Sequence, residues 1–299
     1  MILRRTWLFL LFIMGPWLLF AQKVDKEILL QDISYLSSDE LEGRKALTEG
    51  SLKTREFIKQ RFDSLGLTSQ YSDYTQFFSI KDERSGAIMG QGANIVGFVP
   101  GQESAKIIVI MAHYDHLGKV GDRIFNGADD NASGTAALLA LAAYFAEDKP
   151  QYSLMFAAVD AEEKGLQGAR ALVKDFPFPL KDVLLNINMD MISRSESNEL
   201  FATGTKHYPH LKPIFEEVYG TKVNLRFGHD EPGTGSDDWT YASDHAAFHE
   251  ADIPFIYFGV EDHEDYHKAS DTFEHIDQDF YYQAVTFILQ CVKAFDEHL

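Results

Sequence analysis

The most restrictive feature of the chain is an alternation, from residue 106 onward, of short apolar runs with longer segments of helical periodicity. The runs KIIVIMAH (106–113), YSLMFAAVD (152–160) and DVLLNINMDM (182–191) are apolar at nearly every position. Such runs are typical of strands buried on both faces, which helices between parallel strands cover. The sequence therefore predicts an α/β fold, a three-layer α/β/α sandwich around a mixed, mostly parallel sheet.

The first residues have a different pattern. Arg4 and Arg5 precede an apolar stretch that ends at Ala21, and polar residues follow. This pattern is typical of a secretory signal peptide, and the stretch is shorter than the ~20 residues that a membrane-spanning helix needs. We expect residues 1–21 to be a signal peptide rather than an uncleaved anchor. Residues 22–299 are then one domain that begins with amphipathic helices, exported to the periplasm or beyond the cell.

The charge of the chain limits its partners. It carries 46 acidic and 27 basic residues, a formal net charge of −19. Removal of residues 1–21 would take away two arginines and no acid, which makes the charge more negative. Such a surface repels phosphate backbones, so we expect no nucleic-acid partner. Without the leader, we also expect no stable membrane association.

Carboxylate and imidazole side chains follow each predicted strand. They are His113, Asp115, Asp129, Asp130, Asp160, Glu162, Glu163, Asp190 and the histidines and acids of HEDYHKASDT (263–272), which include His267. Because the carboxyl ends of parallel strands meet at one edge of a sheet, we expect these side chains to lie close together. Histidines with carboxylates and no thiolate suit zinc. The number of carboxylates favours two zinc ions that share one carboxylate.

Several segments, in this order and spacing, resemble the secreted bacterial di-zinc aminopeptidases, metallopeptidases with co-catalytic zinc that are related in fold to glutaminyl cyclases. The segments are LSSDELEGRKALTEG, AHYDHLG, NGADDNASGTAALL, DAEEKGLQGA, NMDM, SDHAAF and DYHKASDT. The resemblance covers most of the chain after residue 21. It implies that His113 and Asp190 bind one zinc, that Glu163 and His267 bind the other, and that Asp130 bridges the two.

The resemblance also implies catalytic roles. Glu162 would be the general base that takes a proton from a metal-activated water and passes it to the leaving amine. Asp115 would orient His113, and Tyr266 would donate a hydrogen bond to the oxyanion. A cis peptide is expected at Asp130–Asn131.

A second metal pattern competes for the same residues. HEDYH, residues 263–267, fits H-E-x-x-H, in which two histidines on one helical face bind zinc. The flanking residues supply few apolar positions for the back of such a helix, so we interpret His267 as a loop ligand and His263 as a solvated or outer residue. His116 is expected to line the cleft. His245 is expected to contact substrate or to structure its loop.

These patterns predict an exported zinc-dependent aminopeptidase that acts on peptides with a free N-terminus, since carboxylates attract an α-ammonium group. One alternative is a single-zinc glutaminyl cyclase, although Asn131 in DDNASG favours the peptidase. A carboxypeptidase or dipeptidase on the same fold is another. A non-catalytic metal-stabilised binding protein would not need Glu162. The sequence predicts neither side-chain specificity nor oligomeric state.

Overall fold

A computed structural model describes residues 23–299, so the predicted signal peptide lies outside the described residues. The chain then forms two amphipathic helices, α1 (Lys26–Leu36) and α2 (Glu49–Ser64). The Asp25 carboxylate begins α1, because it accepts hydrogen bonds from the N–H groups of Glu27 and Ile28 at 2.9 and 3.1 Å. Among the described residues, none of the helices is both long and apolar enough to cross a bilayer.

Eight strands form one sheet in the order β1-β2-β6-β3-β7-β10-β8-β9, and β4 and β5 form a separate hairpin. The strands are β1 (Thr75–Lys81), β2 (Ile88–Val99), β3 (Glu103–His113), β4 (Gly118–Val120), β5 (Arg123–Phe125), β6 (Tyr152–Val159), β7 (Val183–Met189), β8 (Glu199–Thr203), β9 (Asn224–Phe227) and β10 (Phe255–Gly259). The central strands β6, β3, β7 and β10 are parallel, and antiparallel pairs flank them.

Helices cover both faces of this sheet. The helices are α3 (Gly134–Glu147), α4 (Gln167–Lys174), α5 (His245–His249) and α6 (Gln278–His298). On β3, Ile108 and Ile110 pack into the core that contains α1, α2, α3 and α6. Val109 and Met111, which alternate with them, pack into the core that contains α4 and α5. Full burial on both faces explains the apolar runs, and the predicted three-layer α/β/α sandwich is confirmed.

In two regions the secondary structure differs from what the periodicity of the sequence predicts. Residues 210–220 have a helical pattern, but the structure has a 3-10 helix at Pro209–Glu217. Pro213 lies inside it and cannot donate a main-chain hydrogen bond, which disfavours an α-helix there. The sheet also extends past β10 through the short strands β8 and β9, which no periodic pattern marks.

Candidate di-metal active site

The predicted site residues lie at the carboxyl ends of β3, β6 and β7. In the sheet, His113 at the end of β3 pairs with Val159 at the end of β6. Met111 pairs with Asn188 near the end of β7, so Asp190 lies level with His113. The Glu162 and Glu163 side chains follow β6 directly, on a single 3-10 turn. The parallel strands therefore deliver these residues to one edge.

The first group of possible metal ligands surrounds His113. Its Nε2 lies 3.2 Å from Asp190 Oδ1 and 3.5 Å from Asp130 Oδ1. A Glu162 carboxylate oxygen lies within 4.8 Å of the His113 and Asp190 atoms. Neighbouring ligands of a tetrahedral zinc with bonds of ~2.0–2.1 Å are about 3.3–3.4 Å apart. The spacings at His113 match that geometry.

The second group lies on the other side of Asp130. His267 Nε2 is 3.1 Å from Asp130 Oδ2 and 3.6 Å from Glu163 Oε1. Asp130 therefore presents one carboxylate oxygen to each group, as a bridging ligand does. All five residues predicted to bind metal converge in two adjoining groups.

His116 also belongs to the second group. Its Nδ1 lies 3.0 Å from Glu163 Oε1 and 3.5 Å from Asp130 Oδ2. Sequence reasoning placed this residue only at the cleft wall. Its position, one residue after the HYD segment and beyond the strand end, was the available signal.

The main chain around Asp130 is held by three side-chain contacts. The peptide bond Asp130–Asn131 is cis, as expected. The Asp271 carboxylate accepts hydrogen bonds from the N–H groups of Asp129 and Asp130 at 2.9 and 3.1 Å. The Asn131 amide donates to the Met189 carbonyl at 2.9 Å, which ties this turn to the end of β7. The position of Asp130, the predicted bridging ligand, is thus set by residues from distant parts of the chain.

Asp115 contacts both His113 and the residue predicted as the base. His113 Nδ1 lies 3.0 Å from the Asp115 main-chain carbonyl and 3.8 Å from the carboxylate Oδ1. That same Oδ1 accepts a hydrogen bond from the Glu162 N–H at 3.0 Å. The carbonyl therefore lies nearest to the His113 ring, and the carboxylate positions the turn that carries Glu162.

The electrostatics of the edge favour a bound cation. Burial raises the pKa of the Glu162 carboxyl well above its usual 4.5, and His113 opposes this shift. Burial also raises the pKa of Glu163, again against the effect of His113. Carboxylates with unfavourable ionisation in a buried cluster are stabilised as anions by a metal ion.

The hydrogen bonding supports the same conclusion. Within residues 23–299, Glu163 Oε1 and both ring nitrogens of His116 are buried and have no hydrogen-bond partner. Buried polar atoms in proteins nearly always have one. The donor set, imidazole nitrogens and carboxylate oxygens, is the set that zinc prefers, so the residues present fit the predicted ions.

The competing H-E-x-x-H interpretation is wrong, because residues 261–270 form turns and not a helix. His263 Nε2 lies 3.0 Å from Asp129 Oδ2 and belongs to neither metal group. The other Asp129 oxygen accepts hydrogen bonds from the N–H and O–H of Ser193 at 2.7 Å. Asp129 and His263 thus support the turn, and His267 alone of the pair faces the centre.

The centre opens into a cavity of about 310 Å³. Its wall includes Glu83, Leu166, Met191, Ala242 and Tyr266. The Tyr266 ring stacks on His267 with 3.9 Å between ring centroids. Burial raises the pKa of the Tyr266 phenol, which keeps it a hydrogen-bond donor at neutral pH.

Residues 94–292 match the model of peptidase family M28. This range is more than half of the chain. The chain belongs to peptidase family M28. The predicted family is confirmed, and the predicted enzyme class, a zinc metallopeptidase, agrees with it.

Curated relatives agree with this assignment. The chain is 30% identical over 190 residues to aminopeptidase YwaD of Bacillus subtilis, covering 60% of this chain and 38% of the relative. It is 30% identical over 196 residues to a probable leucine aminopeptidase of Trichophyton verrucosum, with coverages of 62% and 52%. It is 28% identical over 160 residues to the alkaline phosphatase isozyme conversion protein of Escherichia coli, with coverages of 50% and 46%. The chain spans about half the length of the curated relatives it matches.

Solved structures share the fold. The zinc aminopeptidase BSAP from Bacillus subtilis matches with a TM-score of 0.71 at 19% identity, covering 90% of this chain and 94% of that chain. A leucine aminopeptidase precursor from Bacteroides thetaiotaomicron matches with a TM-score of 0.72 at 17% identity, with coverages of 91% and 98%. The individual ligand and catalytic assignments in this chain stay predictions.

Proposed function

We propose that this M28 peptidase is an exported di-zinc aminopeptidase that removes N-terminal residues from peptides. The observation that carries the proposal is the convergence of two ligand groups on the two oxygens of Asp130, with Glu162 beside the first group. His113 and Asp190 would hold one zinc, and Glu163 and His267 the other.

When bound, the two zinc ions would polarise the scissile carbonyl and make a water molecule more acidic. Glu162 would accept the proton of that water and donate it to the departing amine nitrogen. Burial raises the pKa of Glu162, and a carboxylate with a raised pKa is a stronger base. Asp115 accepts a hydrogen bond from the Glu162 N–H and so fixes where this base lies.

Selectivity for the amino end would come from charge. The cavity wall contains carboxylates beyond those assigned to metal, namely Glu83 and Glu162. A free α-ammonium group is attracted by these anions, whereas a C-terminal carboxylate is repelled by them. The Tyr266 hydroxyl would donate a hydrogen bond to the oxyanion, because Tyr266 lines the same cavity.

A panel of aminoacyl chromogenic substrates, each with a free and with an acetylated amino group, tests this function. The zinc-loaded enzyme should cleave the free compounds only. Cleavage of the acetylated compounds, or release of C-terminal residues from peptides, would contradict the amino-end proposal. Conversion of N-terminal glutamine to pyroglutamate by a one-zinc enzyme would instead support the cyclase alternative.

Export has its own test. If residues 1–21 are a leader, the N-terminus of the protein recovered from outside the cytoplasm should begin at about residue 22. N-terminal sequencing of the mature protein measures this directly. A mature protein that still begins at Met1 in the membrane fraction would show that the segment is an anchor.

A further inference from the structure

We propose that a groove beside the cavity of the candidate metal centre binds the part of a peptide substrate that follows the cleaved bond, and that it favours peptides with carboxylates there. The groove lies between the edge strand β1 and the helix α4 and has a volume of about 870 Å³. Sites that enclose drug-sized ligands have volumes of about 300–1,000 Å³, so the groove has room for a few residues. The inference rests on the proposed aminopeptidase function and names the class of peptide that the enzyme would take.

The groove adjoins the cavity of the metal centre, here called the catalytic cavity. Glu83 and Gly165 line both. A Cβ atom at Gly165 would collide with Glu83 Oε1, so the Glu83 carboxylate lies directly against this turn. The turn begins with Glu162 and Glu163, at the metal centre, and α4 follows it from Gln167. A peptide whose first residue occupies the catalytic cavity would therefore extend into the groove along α4.

The length of α4 sets how much of the peptide the groove would contact. Gln167 and Lys174 both line the groove and lie at the two ends of this helix. At 1.5 Å per residue, the distance between them along the helix is about 10 Å, which an extended chain covers in about three residues. The groove would therefore hold about three residues of the substrate beyond the cleaved bond.

One side chain fixes the junction of the groove and the catalytic cavity. The Gln167 amide accepts a hydrogen bond from the Lys81 N–H at 2.8 Å, and it donates to the carbonyls of Lys81 at 2.8 Å and Lys164 at 2.7 Å. It thus ties the end of β1 to the turn at the metal centre. The Arg170 guanidinium donates to the Gly165 carbonyl at 2.8 Å and holds that turn from α4. A preformed groove lowers the entropy cost of binding a peptide.

The groove carries basic side chains, although the chain as a whole is acidic. Lys81, Lys164 and Lys174 line it. Within residues 23–299, none of their ammonium groups forms an ion pair, whereas the remaining cation of the groove, Arg170, pairs with Glu250 at 3.0 Å. In a chain with 46 acidic and 27 basic residues, three lysines are thus left here without an acidic partner. Such ammonium groups attract carboxylates of a ligand.

The acidic residues of the groove are engaged or lie at its ends. The Asp82 carboxylate accepts hydrogen bonds from the N–H and O–H of Ser85 at 2.9 and 2.7 Å, within its own turn. Glu83 lies at the catalytic end, where the α-ammonium group would be, and Asp175 lies at the far end of α4. The surface therefore changes from acidic at the catalytic cavity to basic along the groove. A peptide with a free amino group followed by carboxylates has the complementary charges.

Pentapeptide amides with a common N-terminal sequence test the proposal. Each begins with leucine and glycine, and the next three residues are all aspartate, all asparagine or all lysine. At about 0.15 M salt, we expect kcat/KM for release of leucine to be about 10-fold higher for the aspartate peptide than for the asparagine peptide, since an exposed ion pair contributes about 1.4- to 5-fold. The long-range field of a chain with net charge −19 would favour the lysine peptide, so an acidic preference reports the groove. Equal values for the three peptides, or a preference for lysine, overturn the proposal.

Charge reversal at the groove should remove this preference. In Lys81→Glu/Lys174→Glu, KM for the aspartate peptide should rise at least about 10-fold and kcat should not change, because neither lysine contacts the reacting bond. The control Lys149→Glu/Lys222→Glu makes the same charge change at two exposed lysines outside the groove and should keep the preference. A preference that survives the groove reversal, or that both variants lose equally, overturns the proposal. Lys81→Gln/Lys174→Gln is the second variant if the reversed chain does not fold.

Short substrates separate this inference from the proposed function. Aminoacyl chromogenic substrates end before the groove, so the wild type and both variants should cleave them equally. If the wild type cleaves them but does not distinguish the three peptides, only the groove proposal is overturned. If the zinc-loaded wild type cleaves no substrate with a free amino group, the proposed function is overturned, and this inference with it.

Discussion

Two buried polar clusters lie side by side in this protein and differ in how their atoms are satisfied. In the first, the Arg44 guanidinium is fully buried and donates hydrogen bonds to four main-chain carbonyls. The acceptors, at 2.5–2.8 Å, belong to Leu36, Tyr114, Asn126 and Gly127. Burial lowers the pKa of Arg44 to about 10, so the group stays charged at neutral pH.

The second cluster is the candidate metal centre, where Glu163 Oε1, Asp115 Oδ2 and the His116 nitrogens lack hydrogen-bond partners within the described chain. The Arg44 cluster flanks it, because Tyr114 lies beside His113 and Gly127 precedes the turn that carries Asp130. A cluster with all hydrogen bonds made stabilises the fold, and a cluster with atoms left over is arranged for a ligand. Substitutions in the two clusters should therefore have different consequences.

Removal of metal should have the largest effect on activity. It should act on the second cluster and leave the hydrogen bonds of the Arg44 cluster unchanged. Chelation should abolish peptide cleavage, and added Zn²⁺ should restore it. Chelation should also lower the free energy of unfolding by about 4 kcal/mol, compared with the same chain in free zinc at ~1,000 times the Kd. Activity assays and thermal scans with and without chelator measure both. Full activity in the metal-free chain would contradict the assignment.

Glu162→Gln should lower kcat/KM by about 10²–10⁴-fold, the usual contribution of a general base. Metal content should not change, because Glu162 is not assigned as a ligand. The matched control is Glu163→Gln, the same chemical change one residue away, which should lose zinc. Steady-state kinetics with metal analysis separates the two, and turnover retained in Glu162→Gln would remove the mechanism.

Arg44→Met should destabilise the metal-free fold by about 3–5 kcal/mol, since it removes a buried cationic donor from four carbonyls. The Gly127 carbonyl still accepts a hydrogen bond from the Ala132 N–H at 3.1 Å. Urea unfolding measures this. The control Arg226→Met removes an ion pair to Glu199 in which the Arg226 side chain is 57% exposed, and it should have a much smaller effect on unfolding. If both substitutions lowered the stability equally, the buried hydrogen bonds of Arg44 would not stabilise the fold more than an exposed ion pair does.

Tyr266→Phe should reduce kcat by about 10- to 100-fold, less than the loss of a sole oxyanion donor, because zinc shares that role. KM and zinc content should change little. If the reduction appears in KM alone, Tyr266 binds substrate and does not stabilise the oxyanion.

Lys26→Ala should have the smallest effect. Lys26 lies 2.5 Å from Asp279, whose side chain is 92% exposed. Solvent screens this pair, so the midpoint of urea unfolding should not change measurably. A measurable decrease would show that surface pairs contribute to the fold as much as buried ones.

The sequence predicts the central sheet well, because strands buried on both faces have no polar positions and are easily recognised. It does not predict β8 and β9, which are short edge strands. The residues at the strand ends were predictable because the buried strands are: His113, Glu163 and Asp190 lie at or just after the end of such a strand.

Other contacts were not predictable, because they depend on long-range packing. Arg44 lies 70 residues or more from three of its four acceptors, and an isolated arginine in a sequence indicates exposure, not burial. The Asp271 contact to the Asp130 turn spans 141 residues. His116 was recognised as a cleft residue, but its approach to Glu163 depends on how β3 and β6 end together.

The zinc stoichiometry of Asp130→Ala tests the central claim most directly. If Asp130 bridges two ions at the edge of the sheet, the wild type should bind two zinc ions per chain, and Asp130→Ala should lose tight binding of both. Glu163→Gln should lose only one. Two tightly bound ions in Asp130→Ala, or one ion in the wild type, would contradict a shared carboxylate.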